Sequence, residues 1–101
     1  MKYNKLVRDN IIEIINSHGK SCKSHRASDK EYHQALREKL IEEVNEFLTD
    51  ESIEELADIL EVIHAIADEH FGGYAELEKK RLEKKSKRGG FAKRIILEST
   101  E

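Results

Sequence analysis

An all-α fold, an antiparallel helical bundle of about four helices with a short extended C-terminal tail, completed by oligomerisation, is predicted from three observations. The chain contains no proline, so nothing interrupts a helix interior by removing an N–H or driving a ring into the preceding turn. Two long stretches repeat apolar residues at intervals of three and four, the period of one helical face. Charged residues make up 39% of the chain against 38% apolar, which suits amphipathic helices with wide solvated faces better than a thick central sheet. At 101 residues the chain is expected to form a single domain, residues 1–101, with a modest core.

The first helix is expected from Asn10 to His18, capped by Asp9 or Asn10, with Ile11, Ile12, Ile14 and Ile15 on its apolar side and Gly19 as its stop. Residues 20–28 are polar and basic and read as a loop. A second helix begins near Ser28 or Asp29, where Ser28 followed three residues later by Glu31 forms a capping box. Its apolar positions are Leu36, Leu40, Val44, Phe47 and Leu48, and it is expected to end near Leu48. Thr49, Asp50 and Ser52 supply a short connection and caps for a third helix, with Leu56, Ile59, Leu60, Ile63, Ile66 and Ala67 as its inward stripe. A connection this short predicts antiparallel neighbours. Gly72 and Gly73 precede a fourth helix from Tyr74 to about Lys87, whose stripe of Tyr74, Leu77 and Leu82 is thin. Gly89 and Gly90 stop it, and the tail from Phe91 to Leu97 is expected to run extended.

The formal charge of −3 argues against a dedicated nucleic-acid binder, which needs a net basic face to displace counterions. Acidic residues crowd between Glu38 and Glu69 and basic ones between Lys79 and Arg94, an arrangement that could hold cations centrally and a polyanion at the margin. Cys22 is the one cysteine, so no intramolecular disulfide forms, in keeping with a reducing compartment. No apolar run approaches the roughly 20 residues of a membrane span. No apolar segment of signal-peptide type follows the basic start. The expectation is a soluble, cytoplasmic protein without a membrane partner.

The chemistry-bearing pattern is carboxylic. The second helix carries Glu42, Glu43 and Glu46, and the third carries Glu54, Glu55, Asp58 and Glu61. Residues three or four apart share a helical face, so each helix presents a carboxylate pair, and two facing pairs make a site of four oxygen ligands. On a wheel of about 100° per residue Glu43 lies roughly 80° from the centre of its stripe, while Glu42 points nearly opposite. Glu46 follows Glu43 on the same side, and Glu55 and Asp58 stand similarly on the third helix, Glu55 nearer the stripe. Such carboxylates repel unless a cation neutralises them, and hard oxygen ligands suit Mg²⁺ or Mn²⁺. Because Mg²⁺ takes phosphates as ligands, a carboxylate cage beside basic residues points to phosphoryl chemistry. Spacing alone also fits a plain solvated surface.

Lys5 and Arg8 before the first helix, and Lys87, Arg88 and Lys93 around the glycine pair, could clasp phosphates. Part of this charge also suits a helix C-terminus. His64 could support a ligand from behind, although a surface or satisfied core histidine explains it as well. No phosphate-cradling Gly-x-x-x-x-Gly-Lys loop or nucleophile elbow is present, which excludes a P-loop reading.

Glu42-Glu43-x-x-Glu46 followed by Glu55-x-x-Asp58 resembles the signature of the MazG-like, all-alpha nucleoside triphosphate pyrophosphohydrolases. The opening Asn4-Lys5-Leu6-Val7-Arg8-Asp9-Asn10-Ile11 and the closing Lys87-Arg88-Gly89-Gly90-Phe91 look like flanking motifs of a small phosphoribosyl-ATP pyrophosphohydrolase-like branch. The resemblance implies cleavage between the α- and β-phosphates of a nucleotide substrate, with Mg²⁺ held by Glu43, Glu46, Glu55 and Asp58. It also implies a homodimer or homotetramer with its sites near a subunit interface. The branch commonly has Lys-Ile-Pro where this chain has Asn10-Ile11-Ile12, a departure that touches phosphate binding more than the metal ligands. The longer motifs associated with histidine synthesis are also missing, so the resemblance favours a house-cleaning substrate.

On this reading Glu42 or Glu46 serves as the base that orients or deprotonates a water, Glu42 only if another element covers its face. The competing reading is a non-catalytic helical regulator that senses nucleotides or binds a protein partner. A thin fourth helix on a small core further predicts that apolar surface, with Val62, Ile63 and Ile66 as interface residues, is shared between subunits.

Overall fold

The computed structural model describes residues 4–101 and contains four helices: α1 (Ile11–Ser17), α2 (Asp29–Thr49), α3 (Ile53–His70) and α4 (Tyr74–Arg88). No strand occurs among the described residues, so the all-helical class and the four elements agree with the periodicity. The chain falls into two compact units, one running to Ile66 and the other from Ala67 to Glu101. Among the described residues no helix is long and apolar enough to cross a membrane.

In the first unit the Ile11 N–H donates to the Arg8 carbonyl at 3.1 Å, which turns the irregular opening into α1. Asn10 holds the cap position, but its side chain makes no cap hydrogen bond. At the start of α2 the Ser28 hydroxyl accepts from the Glu31 N–H at 3.3 Å, half of the expected capping box. The other half is diverted: the Glu31 carboxylate meets His25 Nε2 at 2.9 and 3.0 Å. The connection to α3 is as short as predicted. The Asp50 N–H donates to the Glu46 carbonyl at 2.9 Å, and the Ser52 hydroxyl caps α3 by accepting from the Glu55 N–H at 3.3 Å.

The covered faces differ from the predicted stripes. On α2, Leu36 is 2% exposed and Glu43 5%, with Leu40 and Phe47 partly covered, whereas Val44 and Leu48 are exposed. On α3, Val62 is 8% exposed, with Ile59, Ile63 and Ile66 partly covered, while Leu56 and Leu60 are exposed. A wheel centred on apolar residues cannot register a covered carboxylate, so it turned each helix away from its acidic side. Val62 therefore belongs to the covered face of its own chain. The apolar surface left open on α3 is instead the one bearing Ile53, Leu56 and Leu60.

In the second unit Gly72 and Gly73 take φ values of +79° and +108°, open to glycine at little cost, and make the turn into α4. The Phe71 and Gly73 N–H groups both donate to the Ala67 carbonyl at 3.0 Å. Helix α4 is laced by neighbouring charges, Arg81 with Glu78 and Lys80 with Glu83 at 3.1 Å. It stops where the Gly89 N–H donates to the Lys85 carbonyl at 2.8 Å. Beyond it a turn closes from Phe91 to Arg94 at 3.1 Å, and the last residues are exposed and irregular.

Candidate metal centre

The covered side of α2 faces the acidic side of α3. Glu43, Glu55 and Asp58 each bring a carboxylate oxygen within 4.8 Å of the others. A second group, Glu42, Glu43 and Glu46, meets the same criterion along α2, so Glu43 is common to both. The four ligands expected from the sequence do not fall into one group: Glu43, Glu55 and Asp58 form one triad, and Glu46 groups with Glu42 and Glu43.

Two atoms give this grouping chemical direction. Glu43 Oε2 and Glu55 Oε2 are buried without a hydrogen-bond partner among the described residues. A carboxylate oxygen withdrawn from water and left unpaired is costly, and an oxygen-seeking cation relieves that cost. Glu43 is also the most deeply covered charged side chain of the site.

The chain supplies some of the counter-charge itself. Lys39, one turn before Glu43 on α2, places Nζ 3.0 Å from Glu43 and 3.5 Å from Glu42 with its side chain only 17% exposed. Burial works to lower the Lys39 ammonium, but Glu43 and Glu42 outweigh it and hold its pKa above the ordinary value. Lys5 reaches Glu42 at 3.2 Å, and Arg8 Nη2 reaches Asp58 Oδ1 at 2.7 Å. Pairs as exposed as Arg8 and Asp58 contribute only about 0–1 kcal/mol. Burial works to raise the Glu42 carboxyl, yet Lys5 and Lys39 outweigh it and hold it below the ordinary value. Glu46 behaves oppositely: the negative charge of Glu43 foremost, with Glu55 and Glu42 adding, pushes its carboxyl above the ordinary value. Formally, the five carboxylates exceed these three cations by two charges, the charge of one divalent ion.

Beside the carboxylates lies an open cavity of about 430 Å³ lined by Glu42, Asn45, Glu46, Thr49, Asp50 and Glu55. Glu46 is an exposed residue of its wall.

Lys5 and Arg8, expected to clasp phosphate, lie instead against two of the site's carboxylates. Lys87 and Arg88 occupy the last turn of α4 and Lys93 the turn that follows, all exposed and all in the second unit. His64 is partly covered on α3. Lys39 was missed by sequence reasoning, although its spacing of three and four residues from Glu42 and Glu43 was a readable signal. Asn45, Thr49 and Asp50 carried no signal before the cavity was known. Compared with known proteins, the chain matches no family model, no curated protein and no solved structure.

Proposed function

We propose that the protein is a metal-dependent nucleoside triphosphate pyrophosphohydrolase that cleaves between the α- and β-phosphates, giving a nucleoside monophosphate and pyrophosphate in a house-cleaning role. The observation that carries this reading is Glu43, a covered carboxylate with one unpaired oxygen, within ligand distance of Glu55 and Asp58 from the next helix. The MazG-like motifs that contain these residues support the same reading.

Glu43, Glu55 and Asp58 would hold Mg²⁺, or Mn²⁺ in its place, with Glu46 or Glu42 able to extend the ligand set from the side of α2. When bound, a divalent ion supplies charge neutralisation to the polyphosphate and acidity to a coordinated water. Glu46 is the better candidate base of the two, because its raised proton affinity suits it to accept a proton from water. Glu42, neutralised by Lys5 and Lys39, is suited to holding those two cations in place. Asn45 and Thr49 line the cavity where the nucleoside would lie.

The three-residue connection from α2 to α3 supports an antiparallel pair, and the open surface of Ile53, Leu56 and Leu60 supports a homodimer or homotetramer. The cytoplasm is the compartment this reading assigns. Incubation of the purified chain with Mg²⁺ and a broad panel of ordinary and modified nucleotides is expected to yield monophosphate and pyrophosphate from at least one. Release of inorganic phosphate alone would contradict the bond assignment, and inactivity across the panel with Mg²⁺-dependent nucleotide binding would favour the sensing regulator.

A further inference from the structure

Two of the chain's own cations touch the triad, and they are held differently. Lys39 is packed along α2, nearly covered, and bound to two carboxylates one turn away on the same helix. Arg8 comes from an irregular segment, is 56% exposed, and touches only one member of the triad, Asp58. Its carbonyl accepts from the Ile11 N–H, which ties its backbone to the start of α1, while more than half of its long side chain stands in solvent.

The oxygens without partners among the described residues belong to Glu43 and Glu55, and the third member, Asp58, is met by a cation from outside the two helices. A divalent ion drawn to these two glutamates must approach Asp58, which brings a carboxylate oxygen within 4.8 Å of one from each and whose Oδ1 is held by a guanidinium at 2.7 Å. Lys39 is held by two carboxylates of its own helix, so the ion and the Arg8 guanidinium compete for the carboxylate of Asp58. Two cations sharing one carboxylate repel each other, and Arg8, the more exposed of the chain's two cations at the triad, is the one able to give way.

Resting on the metal reading of this site, we infer that Arg8 is an exchangeable counter-ion: it holds Asp58 while no divalent ion is bound, and ion binding displaces it and frees its guanidinium for a phosphate. The device orders the two events. A guanidinium engaged with Asp58 offers little to an anion, whereas one released beside a newly bound ion presents a planar fork to phosphate oxygens. Metal and polyphosphate would then bind with positive coupling, each favouring the arrangement the other needs. Arg8 acts here as a positioning residue.

The test is Mn²⁺ binding to the full chain, followed by the electron paramagnetic resonance signal of free Mn²⁺, with and without inorganic pyrophosphate. Arg8→Gln, which removes the competitor, is expected to bind Mn²⁺ up to about fivefold tighter than the natural chain and to lose most of the pyrophosphate enhancement. Arg8→Lys keeps the charge and is expected to stay within about threefold of the natural chain, separating competition from altered packing. Circular dichroism of each variant is expected to keep its helix signal, since Arg8 lies outside the helices. If Arg8→Gln bound Mn²⁺ equally or more weakly while the natural chain bound it well, the exchange would be overturned and the metal centre would stand. If neither bound Mn²⁺ and Glu43→Gln behaved the same, the metal reading itself would fail and the exchange with it.

Discussion

Charge does different things in the two units. In the first, Lys5 pairs with Glu42 and Arg8 with Asp58 across 37 and 50 residues of chain, and Glu43 is withdrawn from water with Lys39 beside it. In α4 the pairs run three residues along one exposed helix, Arg81 with Glu78 and Lys80 with Glu83. The second pattern needs only helical spacing and solvates a surface; the first draws separate elements around a set of like charges that would otherwise repel. What separates a site from a charged surface here is the distance along the chain over which its charges are answered, and the covered, unpaired oxygens that remain.

Removal of a ligand is the sharpest way to break this contrast. Glu43→Gln and Asp58→Asn are each expected to lower turnover on the order of a hundredfold or more and to weaken Mn²⁺ binding in parallel, with helix content retained. An ordinary Mg²⁺-dependent rate in both variants would dissolve the distinction between the two units. The next largest effect concerns assembly. At low micromolar concentration the natural chain is expected to sediment as a dimer or tetramer, and Leu56→Asp with Leu60→Asp to shift it towards 11.7 kDa. A natural chain already monomeric and fully active would remove the open α3 surface from the account.

Stability against pH gives a finer test, because two neighbouring carboxylates should act with opposite sign. Glu46 is raised, so the folded chain binds its proton more tightly than the unfolded chain, and stability from this group is lost as pH rises through the carboxylate range. Glu46→Gln is expected to raise the metal-free melting midpoint at neutral pH and to leave it unchanged in acid. Glu42 is lowered, so its contribution is present above the ordinary carboxylate value and lost as pH falls through its depressed one. Glu42→Gln should flatten the acid limb of the melting curve. The smallest effect is predicted for Glu54→Gln: activity and melting indistinguishable from the natural chain, the behaviour of a solvated charge.

The sequence made the four helices legible because each depends on local signals: Ser28 and Ser52 caps, the Gly72–Gly73 turn, and apolar spacing of three and four. The approach of Glu43, Glu55 and Asp58 was legible too, since a short connection leaves α2 and α3 little choice of neighbours. The depth of Glu43 was not. A hydropathy wheel places a glutamate at the margin by construction, and only the packing of Leu36, Leu40 and Phe47 around the same face shows otherwise. The positions of Lys5 and Arg8 were equally hidden, because no periodicity links an irregular opening to helices dozens of residues away. Both were expected to clasp phosphate, and both lie on carboxylates.

The connector between α1 and α2 has a practical consequence for handling the protein. Residues 20–28 are exposed and without regular structure, and they contain Lys20, Lys23 and Arg26, the residues after which trypsin-like proteases cut. A single nick there leaves Lys5 and Arg8 on a fragment separate from the one that carries Glu43, Glu55 and Asp58. Once that fragment diffuses away, the acidic residues keep their helices, but Asp58 loses Arg8 and Glu42 loses Lys5. A preparation clipped during purification is therefore expected to hold divalent ions more avidly than intact protein while handling polyphosphate less well, so the integrity of this connector should be verified by mass spectrometry before any affinity is compared.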